Sequence, residues 1–331
     1  MSGDAARERP LVSVRGLTVH FPVRTGVFST VGAWVRAVED VSFDVERREI
    51  FALVGESGCG KTTTGRAILR LLEPTAGEVI FDGQPVLELS RRELRALRRR
   101  MQIVFQDPYG SLNPRMTVGG IVGEPLRIHG IATGAELERR VASLLERVGL
   151  DARYRTRYPH EFSGGQRQRI GIARALALDP DFIVCDEAVS ALDVSIQAQV
   201  LNLLRELQAD LGLAYLFITH DLNVVRYLAD RVGVMYLGRL VETARAEDLF
   251  REPLHPYTRA LISANPVPDP ELPLHPEVLE GEVPSPIAPP PGCAFHPRCP
   301  RAFARCPVEI PRLRPVRGGA RQVACHLYDD E

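Results

Sequence analysis

The 331-residue sequence has no apolar run approaching the roughly 18–20 residues of a membrane-spanning helix, and it does not open with a signal-peptide pattern. Its formal net charge at pH 7 is −1, so its overall charge gives no indication of a nucleic-acid partner. These absences argue against an integral membrane protein and against a nucleic-acid-binding one. We therefore expect a cytosolic protein that reaches a membrane only through other proteins.

Lysine is almost missing as well. Of the 41 Lys and Arg residues, only Lys61 is a lysine, and arginine stands at every other basic position. A compact ammonium fits into a cradle around phosphate groups, whereas a planar guanidinium does not. The exception at position 61 therefore indicates a phosphate-binding site.

Lys61 lies in a G-x-x-x-x-G-K-T motif. The apolar run 50–54 before the motif predicts a buried strand, and the pattern of residues 63–72 after it predicts a helix. Glycines let successive N–H groups point at an anion, and the start of a helix adds a partial positive charge. We expect Lys61 to bind the β- and γ-phosphates of a nucleotide and Thr62 to ligate Mg²⁺. The predicted nucleotide-binding residues of this loop are Gly55, Glu56, Ser57, Gly58, Cys59, Gly60, Lys61, Thr62 and Thr63.

Short apolar segments alternate with helical patterns along most of the chain, which is typical of a parallel sheet covered on both faces and predicts an α/β fold. Residues 11–21 and 38–45 have the pattern of two strands that pair as a hairpin, with an insertion at 22–37 between them. From residue 116 to about 177 the pattern is helical.

Two carboxylates follow the apolar segment 182–185. Asp186 is placed to hold the Mg²⁺ that bridges the phosphates, and Glu187 is placed to take a proton from an attacking water. A Ser-Gly-Gly-Gln sequence at 163–166 opens the preceding helix, and His220 follows a further buried strand. The order of these elements along the chain is stronger evidence for a nucleotide site than any one of the elements alone.

Taken together, the motifs resemble the ATP-binding cassette (ABC) family from residue 11 to about 250. The resemblance implies a P-loop NTPase fold with a RecA-like parallel-sheet core, an antiparallel β subdomain and a helical signature subdomain at about 107–177. The matching segments are GESGCGKT at 55–62, the Q-loop glutamine Gln106, the signature FSGGQ at 162–166, FIVCDE at 182–187, the D-loop SALD at 190–193 and the switch histidine His220.

The resemblance also implies roles for individual residues. In a head-to-tail dimer, the signature residues Ser163, Gly164, Gly165 and Gln166 would bind the nucleotide held by the partner's phosphate loop. Phe21 resembles the aromatic residue that stacks on adenine, and Trp34 is a weaker candidate. The implied catalytic residues are Glu187, His220, Gln106 and Lys61, and the implied Mg²⁺ ligands are Thr62, Gln106 and Asp186.

Three longer stretches, 106–126, 185–204 and 249–266, resemble the ATPase subunits of bacterial oligopeptide and dipeptide importers. This likeness implies a second ABC ATPase subunit, identical or homologous, two transmembrane permease subunits, and a solute-binding protein outside the cytoplasm as an indirect partner. It places the chain at the cytoplasmic face of the cell membrane, with the segment 107–125 facing the permease. Phe162 and Ala188 depart from the subfamily pattern of leucine and proline, and neither departure removes a catalytic group.

Composition changes near residue 250. Of 26 prolines, 17 lie between Pro253 and Pro315, and four of the six cysteines follow residue 290. We therefore predict a nucleotide-binding domain at 11–252 and a small proline- and cysteine-rich domain at 253–331.

Cys293, Cys299, Cys306 and Cys325 have the spacing C-x5-C-x6-C-x18-C. A cytosolic location disfavours disulfides, and zinc sites usually have closer cysteine pairs, although His296 and His326 could replace missing ligands. The spacing therefore favours a [4Fe–4S] cluster over Zn²⁺, and either over free thiols. The resemblance to peptide-importer ATPases, some of which carry such a cluster, favours the same interpretation.

Other functions stay open at this point. The sequence does not identify the solute, so nickel or glutathione import is an alternative to peptide import. A soluble ABC ATPase without a transport role is another, but such proteins usually have two cassettes or a long coiled coil, and this chain has one cassette and no sustained heptads.

Overall fold

The computed structural model describes residues 9–25, 30–107, 109–264, 281–319 and 321–329. Among these residues, no helix is both long enough and apolar enough to cross a membrane.

The strands are given first, in chain order. They are β1 (Val12–Thr25), β2 (Thr30–Val45), β3 (Ile50–Val54), β4 (Ala76–Phe81), β5 (Gln84–Pro85), β6 (Met101–Val104), β7 (Phe182–Asp186), β8 (Ala214–Thr219), β9 (Arg231–Tyr236), β10 (Arg239–Arg245), β11 (Arg314–Val316) and β12 (Arg321–Val323). The helices are α1 (Lys61–Ile68), α2 (Arg91–Leu97), α3 (Val118–Ile128), α4 (Gly134–Arg147), α5 (Gly164–Leu176), α6 (Val194–Leu211), α7 (Leu222–Leu228), α8 (Ala246–Arg251) and α9 (Pro256–Ser263).

The chain folds into two compact units. The first consists of Met1–Glu88 and His220–Glu331, and the second is Leu89–Thr219. The first unit therefore combines the two ends of the chain. The predicted boundary near residue 252 lies inside this unit and stays a prediction.

The first unit contains an antiparallel sheet in the strand order β2, β1, β4, β5. Five further strands of this unit are adjacent in the order β11, β12, β10, β9, β3, with β3 and β9 parallel and the other neighbours antiparallel. All five residues of β3 are buried, as expected for a strand covered on both faces. Because β12 pairs with β10, the C-terminal strands of the chain extend the sheet that carries β3.

The second unit contains the parallel strands β8, β7 and β6, with β7 in the middle. Two of its helices begin at residues whose side chains cap the helix start. Ser90 and Glu93 form a capping box at α2, and Asp193 Oδ1 accepts a hydrogen bond from Ile196 N at 3.0 Å at α6. The α6 helix ends at Gly212, whose φ of +65° is the left-handed conformation that glycine adopts readily. The helices α3, α4 and α5 lie within the predicted helical subdomain.

Most predicted elements are confirmed, and two differ. The predicted insertion at 22–37 is not a separate insert, because β1 and β2 continue their pairing through it, with Pro22 opposite Trp34 and Thr25 opposite Thr30. Residues 26–29 lie outside the described part. The helix expected to reach residue 72 ends at Ile68, because Arg70 adopts a positive φ of 48° that an α-helix cannot contain.

Candidate functional site

The phosphate loop joins the buried strand β3 to helix α1 in the first unit, as predicted. Two of its glycines are required by close approaches of other backbone atoms. A Cβ atom at Gly55 would lie 2.2 Å from the carbonyl oxygen of Met235, and one at Gly60 would lie 2.2 Å from that of Ala37. Gly60 also has a φ of +105°, which favours glycine. The loop is thus fitted against β9 and β2, and any side chain at these two positions would displace it.

Lys61 is nearly enclosed, with 4% of its surface exposed. Its Nζ donates hydrogen bonds to the carbonyl oxygens of Gly55, at 2.8 Å, and Glu56, at 2.9 Å. Burial raises the pKa of the neighbouring Cys59 thiol, while the Lys61 ammonium opposes that shift. The loop therefore places a buried neutral thiol, that of Cys59, beside the ammonium group of Lys61.

The other predicted site residues of the first unit are partly or fully exposed to solvent. Ser57 and Gly58 at the loop's tip are exposed, and Thr62 and Thr63 are half-buried. Phe21 lies on β1 with an exposed side chain, and His220, directly after β8, is also exposed. Trp34 is exposed as well, but it pairs with Pro22 whereas Phe21 pairs with Val35, so Phe21 and Trp34 lie on opposite faces of the β1–β2 ribbon.

The second unit brings Gln106 and Glu187 together. The Nε2 of Gln106 donates a hydrogen bond to Oε2 of Glu187 at 2.7 Å. Glu187 follows the buried Asp186 at the end of β7, and its backbone has a φ of +47°. A non-glycine residue in this conformation is strained, and its backbone N–H is held by a hydrogen bond to Ile218 O at 2.9 Å. Glu187 is thus held by hydrogen bonds at both its backbone and its side chain.

The signature residues form the start of α5. Ser163 is the N-cap: its hydroxyl accepts from Gln166 N, and Gln166 Oε1 accepts in return from Ser163 N at 3.1 Å. Ser163 is exposed and Gly164 is half-buried, whereas a Cβ atom at Gly165 would lie 2.2 Å from Ile196 Cγ2. The α5 start therefore presents Ser163 and packs Gly165 against α6.

Three residues that the sequence did not indicate touch the phosphate loop or its supports. Glu56 N donates to the hydroxyl oxygen of Tyr257 at 2.9 Å, and the carboxylate of Glu56 pairs with Arg298. Tyr236 OH lies 3.5 Å from Arg298 Nη1. Only the placement of Arg298 between two of the four C-terminal cysteines could have drawn attention to it.

The four C-terminal cysteines lie in each other's electrostatic reach. Burial, followed by the neighbouring thiols Cys306 and Cys299, raises the pKa of Cys293 to about 11. Burial, together with the neighbouring thiols Cys293, Cys299 and Cys306, raises the pKa of Cys325 to about 11. Cys293 N also donates to Cys306 O at 2.7 Å. None of the four forms a disulfide in the described part of the chain, and the fold brings together residues that are up to 32 positions apart in the sequence.

The two histidines predicted as substitute ligands are engaged elsewhere. His326 has Asp329 Oδ2 at 2.7 Å from Nδ1 and Glu309 O at 2.9 Å from Nε2, and His296 Nδ1 lies 2.9 Å from Cys293 O. Across the described ranges, no group of three or more His, Cys, Asp and Glu side chains is arranged to hold a metal ion. The described geometry thus supports neither a zinc site that uses His326 nor the [4Fe–4S] site predicted from the cysteine spacing.

The chain is similar to known proteins along nearly its whole length. Residues 38–190 match the family model "ABC transporter", and residues 241–306 match "Oligopeptide/dipeptide transporter, C-terminal region". A putative peptide import ATP-binding protein of Brucella ovis is 58% identical over 94% of this chain and 96% of its own length. The oligopeptide transport ATP-binding protein AppF of Bacillus subtilis is 51% identical over 98% of this chain and 99% of its own length.

Among solved structures, a dimeric post-hydrolysis state of the ATP-binding cassette MJ0796, bound to ADP and Pi, is similar with a TM-score of 0.62. The two sequences are 30% identical, and the match covers 71% of this chain and 98% of the MJ0796 chain.

Proposed function

Since this chain belongs to the ABC transporter family of ATP-binding proteins, we propose that it hydrolyses ATP to drive a bacterial importer of peptides. The peptide assignment is supported by the match of residues 241–306 to the oligopeptide/dipeptide transporter region and by the names of the relatives. The hydrolytic assignment is supported by one contact above all, the 2.7 Å hydrogen bond from Gln106 to the strained Glu187.

The proposed chemistry uses groups that each unit holds in place. Glu187 takes a proton from a water molecule, whose oxygen attacks the γ-phosphorus while the bond to the β-phosphate breaks and ADP leaves. Lys61 binds the β- and γ-phosphates, and His220 contacts the γ-phosphate. Magnesium, which neutralises phosphate charge when bound, would be held by Thr62, Gln106 and Asp186. Oxygen donors of this kind are those that Mg²⁺ prefers.

The proposed partners follow from the family. A second ABC ATPase subunit would contribute its signature motif to the nucleotide bound here, and Ser163 of this chain would do the same in return. Two permease subunits would carry the chain at the cytoplasmic face of the membrane, with a solute-binding protein delivering the peptide from the other side. The exposed position of Ser163 at the start of α5 supports its proposed contact with a partner's nucleotide.

The hydrolytic role is tested by Glu187→Gln. The amide side chain has the shape of the Glu187 side chain and still reaches Gln106, but it cannot take a proton from water. ATP turnover should therefore fall by about 10²–10⁴-fold while ATP binding is retained. Glu206→Gln, on the exposed face of α6, is the matched control and should turn over ATP like the parent. Turnover by Glu187→Gln close to that of the parent would contradict the assignment of the general base.

The transport role is tested by reconstitution of the chain with its permease subunits in vesicles. ATP turnover should rise when the solute-binding protein is added with a peptide, and labelled peptide should accumulate inside. Stimulation by nickel complexes or glutathione instead of peptides would reassign the solute. ATP turnover that is the same with and without the permease subunits would favour an ATPase without a transport role.

We further propose that Cys293, Cys299, Cys306 and Cys325 hold a [4Fe–4S] cluster. The cysteines lie close enough to influence one another's pKa, and burial raises the pKa of Cys293 and of Cys325. The positive charge of iron would offset that shift when a cluster is bound. The spacing C-x5-C-x6-C-x18-C is wider than the close cysteine pairs of most zinc sites, which favours a cluster over zinc. Its proposed role is to join a proline-rich segment to the rest of the unit.

Anaerobically purified protein should be brown, with about four iron atoms per chain and broad absorption near roughly 400 nm. Cys306→Ala should remove the colour, whereas Cys185→Ala, a buried cysteine on β7 far from this segment in sequence, should retain it. Colourless protein with stoichiometric zinc and no iron would rule the cluster out.

A further inference from the structure

Arg298 and Glu56 form an ion pair between the cysteine-containing segment and the phosphate loop, 242 positions apart in the chain. Arg298 Nη1 donates to Glu56 Oε2 at 3.0 Å, and Nη2 donates to Oε1 at 3.2 Å. This two-bond fork is the geometry in which arginine binds a carboxylate most specifically. The Arg298 side chain is 7% exposed and that of Glu56 is 30% exposed, so solvent screens the pair only in part.

Glu56 is held at its backbone as well as at its side chain. Its N–H donates to the Tyr257 hydroxyl at 2.9 Å, and Tyr257 packs against Tyr236 and Phe295 with ring centroids 4.7 and 5.5 Å away. These three rings are almost fully buried in the core of the first unit. The second residue of the phosphate loop is therefore fixed by groups that lie outside the loop.

The position of Glu56 determines the surroundings of Lys61. The Glu56 carbonyl accepts one hydrogen bond from Lys61 Nζ, at 2.9 Å, and the Gly55 carbonyl accepts another, at 2.8 Å. A shift of Glu56 would move the first of these acceptors directly. Arg298 thus acts on the phosphate-binding lysine through one intervening residue, without itself touching a nucleotide.

Arg298 is also part of the turn that carries the cysteines. Its N–H donates to Phe295 O at 3.0 Å, Cys299 N donates to His296 O at 3.3 Å, and Cys293 N donates to Cys306 O at 2.7 Å. The buried ring of Phe295 anchors this turn to Tyr236 at a centroid distance of 5.2 Å. A change that fixes the positions of Cys293 and Cys299 therefore also fixes the backbone of Arg298.

We propose that Arg298 is a positioning residue for the phosphate loop, through which the cysteine-containing segment at 293–306 sets the affinity for nucleotide. The inference rests on the ATPase function proposed above. It assigns to this C-terminal segment a part in ATP binding, beyond a structural one.

The first experiment compares Arg298→Ala with the parent in the full chain, using a fluorescent ATP analogue with Mg²⁺ for binding and steady-state hydrolysis for KM and kcat. Arg298→Ala should raise the Kd and the KM by at least about fivefold, the lower end of typical coupling between sites, and leave kcat within about twofold. Arg298→Lys retains the charge but not the fork, and should give an intermediate Kd.

Arg231→Ala is the matched control. Arg231 pairs with the buried Glu49 at 3.2 Å in the same unit and donates to Asp44 O at 3.3 Å, and neither partner belongs to the phosphate loop. Its loss should lower the melting temperature without changing the Kd. Equal rises of the Kd in Arg298→Ala and Arg231→Ala would show general destabilisation and overturn the proposal.

Glu56→Gln and the double variant Glu56→Gln with Arg298→Ala complete a double-mutant cycle. If Arg298 acts through Glu56, the two single effects on the Kd should be strongly non-additive. Additive effects, or an Arg298→Ala Kd equal to that of the parent, would refute the role of the pair. A parent protein that binds no nucleotide would instead refute the proposed ATPase function.

The cysteine half of the proposal has its own test. Cys299→Ser should raise the Kd for the ATP analogue in the parent but have little further effect in Arg298→Ala, because the route through Arg298 is already broken. Binding and hydrogen exchange of the phosphate-loop amides are measured together, since a loosened loop exchanges faster. A Cys299→Ser effect of equal size in both backgrounds would overturn this half.

Discussion

Lys61 illustrates how much can depend on one residue. Its ammonium is nearly enclosed and donates to two carbonyl oxygens of its own loop, at 2.8 and 2.9 Å. A guanidinium has five donors in a rigid plane and needs more room, so the same space cannot satisfy it. The geometry of this enclosed space therefore explains why a lysine stands at position 61, although arginine stands at every other basic position.

We expect Lys61→Arg, which preserves the charge, to lower ATP hydrolysis by about 100-fold or more, as the loss of one well-placed donor to a transition state does. Steady-state phosphate release measures this. The control is the reverse exchange on the same helix, Arg66→Lys at an exposed position, which should leave turnover unchanged. Comparable activity of Lys61→Arg and the parent would mean that charge alone suffices and that the loop is misassigned.

Glu187 combines a strained backbone conformation with a side-chain contact to a distant residue. The sequence predicted its role but gave no sign of its backbone strain or of its contact with Gln106. Strain of this kind persists only where the surrounding structure enforces it. Here the parallel pairing of β7 with β8, in which Asp186 lies opposite Ile218, provides that support.

At the scale of elements, helix α9 depends on an uncommon cap. His255 precedes the helix, and its Nδ1 accepts a hydrogen bond from Tyr257 N at 3.0 Å. The residue is 1% exposed, and burial lowers its pKa to about 3. Glu242 is the charged group beside it and accepts the His255 backbone N–H at 2.9 Å, while Arg321 pairs with that same carboxylate. The cap therefore requires a neutral imidazole.

This requirement predicts a pH dependence of stability. The pKa of His255 lies below that of an unfolded histidine, about 6.5, so the unfolded chain takes up a proton that the folded chain does not. Its contribution to stability is complete above about pH 6.5 and is lost as the pH falls toward 3, at up to about 1.4 kcal/mol per pH unit.

His255→Asn replaces the Nδ1 acceptor with an amide oxygen that caps the helix and removes the titration, so the melting temperature of this variant should change less between pH 6.5 and 5 than that of the parent. His160→Asn, at an exposed position, should follow the parent. Identical pH profiles for His255→Asn and the parent would contradict a buried, neutral His255.

The long ribbon of β1 and β2 is the element that sequence patterns described least well. Alternation of apolar and polar residues predicted the paired parts at 11–21 and 38–45, where one face is buried. At the described side chains between them, 22–24 and 30–37, exposure is high, as at Val31 and Trp34, so no periodic apolar signal marks the strands. The backbone pairing of the two strands continues there without that signal.

At the scale of the whole molecule, the first unit is built from both ends of the chain. Strand β3, which leads into the phosphate loop, shares one core with the strands β9 and β10 and with the C-terminal segment, and this core contains Tyr236, Tyr257 and Phe295. The composition change near residue 250 is real in the sequence, yet β12 pairs with β10 across it. The C-terminal segment is therefore part of the surroundings of the phosphate loop.

The sequence by itself determined the α/β class, the phosphate loop, the order of the motifs and the family, because each of these is written in local residue patterns: apolar strands, glycines before Lys61, and carboxylates directly after a strand. Only the tertiary structure decided which distant residues support them. The pairing of Arg298 with Glu56, the hydroxyl of Tyr257 on the loop's backbone and the gathering of Cys325 with Cys293 join positions that are far apart in the chain. Side-chain contacts between such positions leave no periodic or adjacent signal in a single sequence, since they depend on how sheets and helices pack rather than on any local preference.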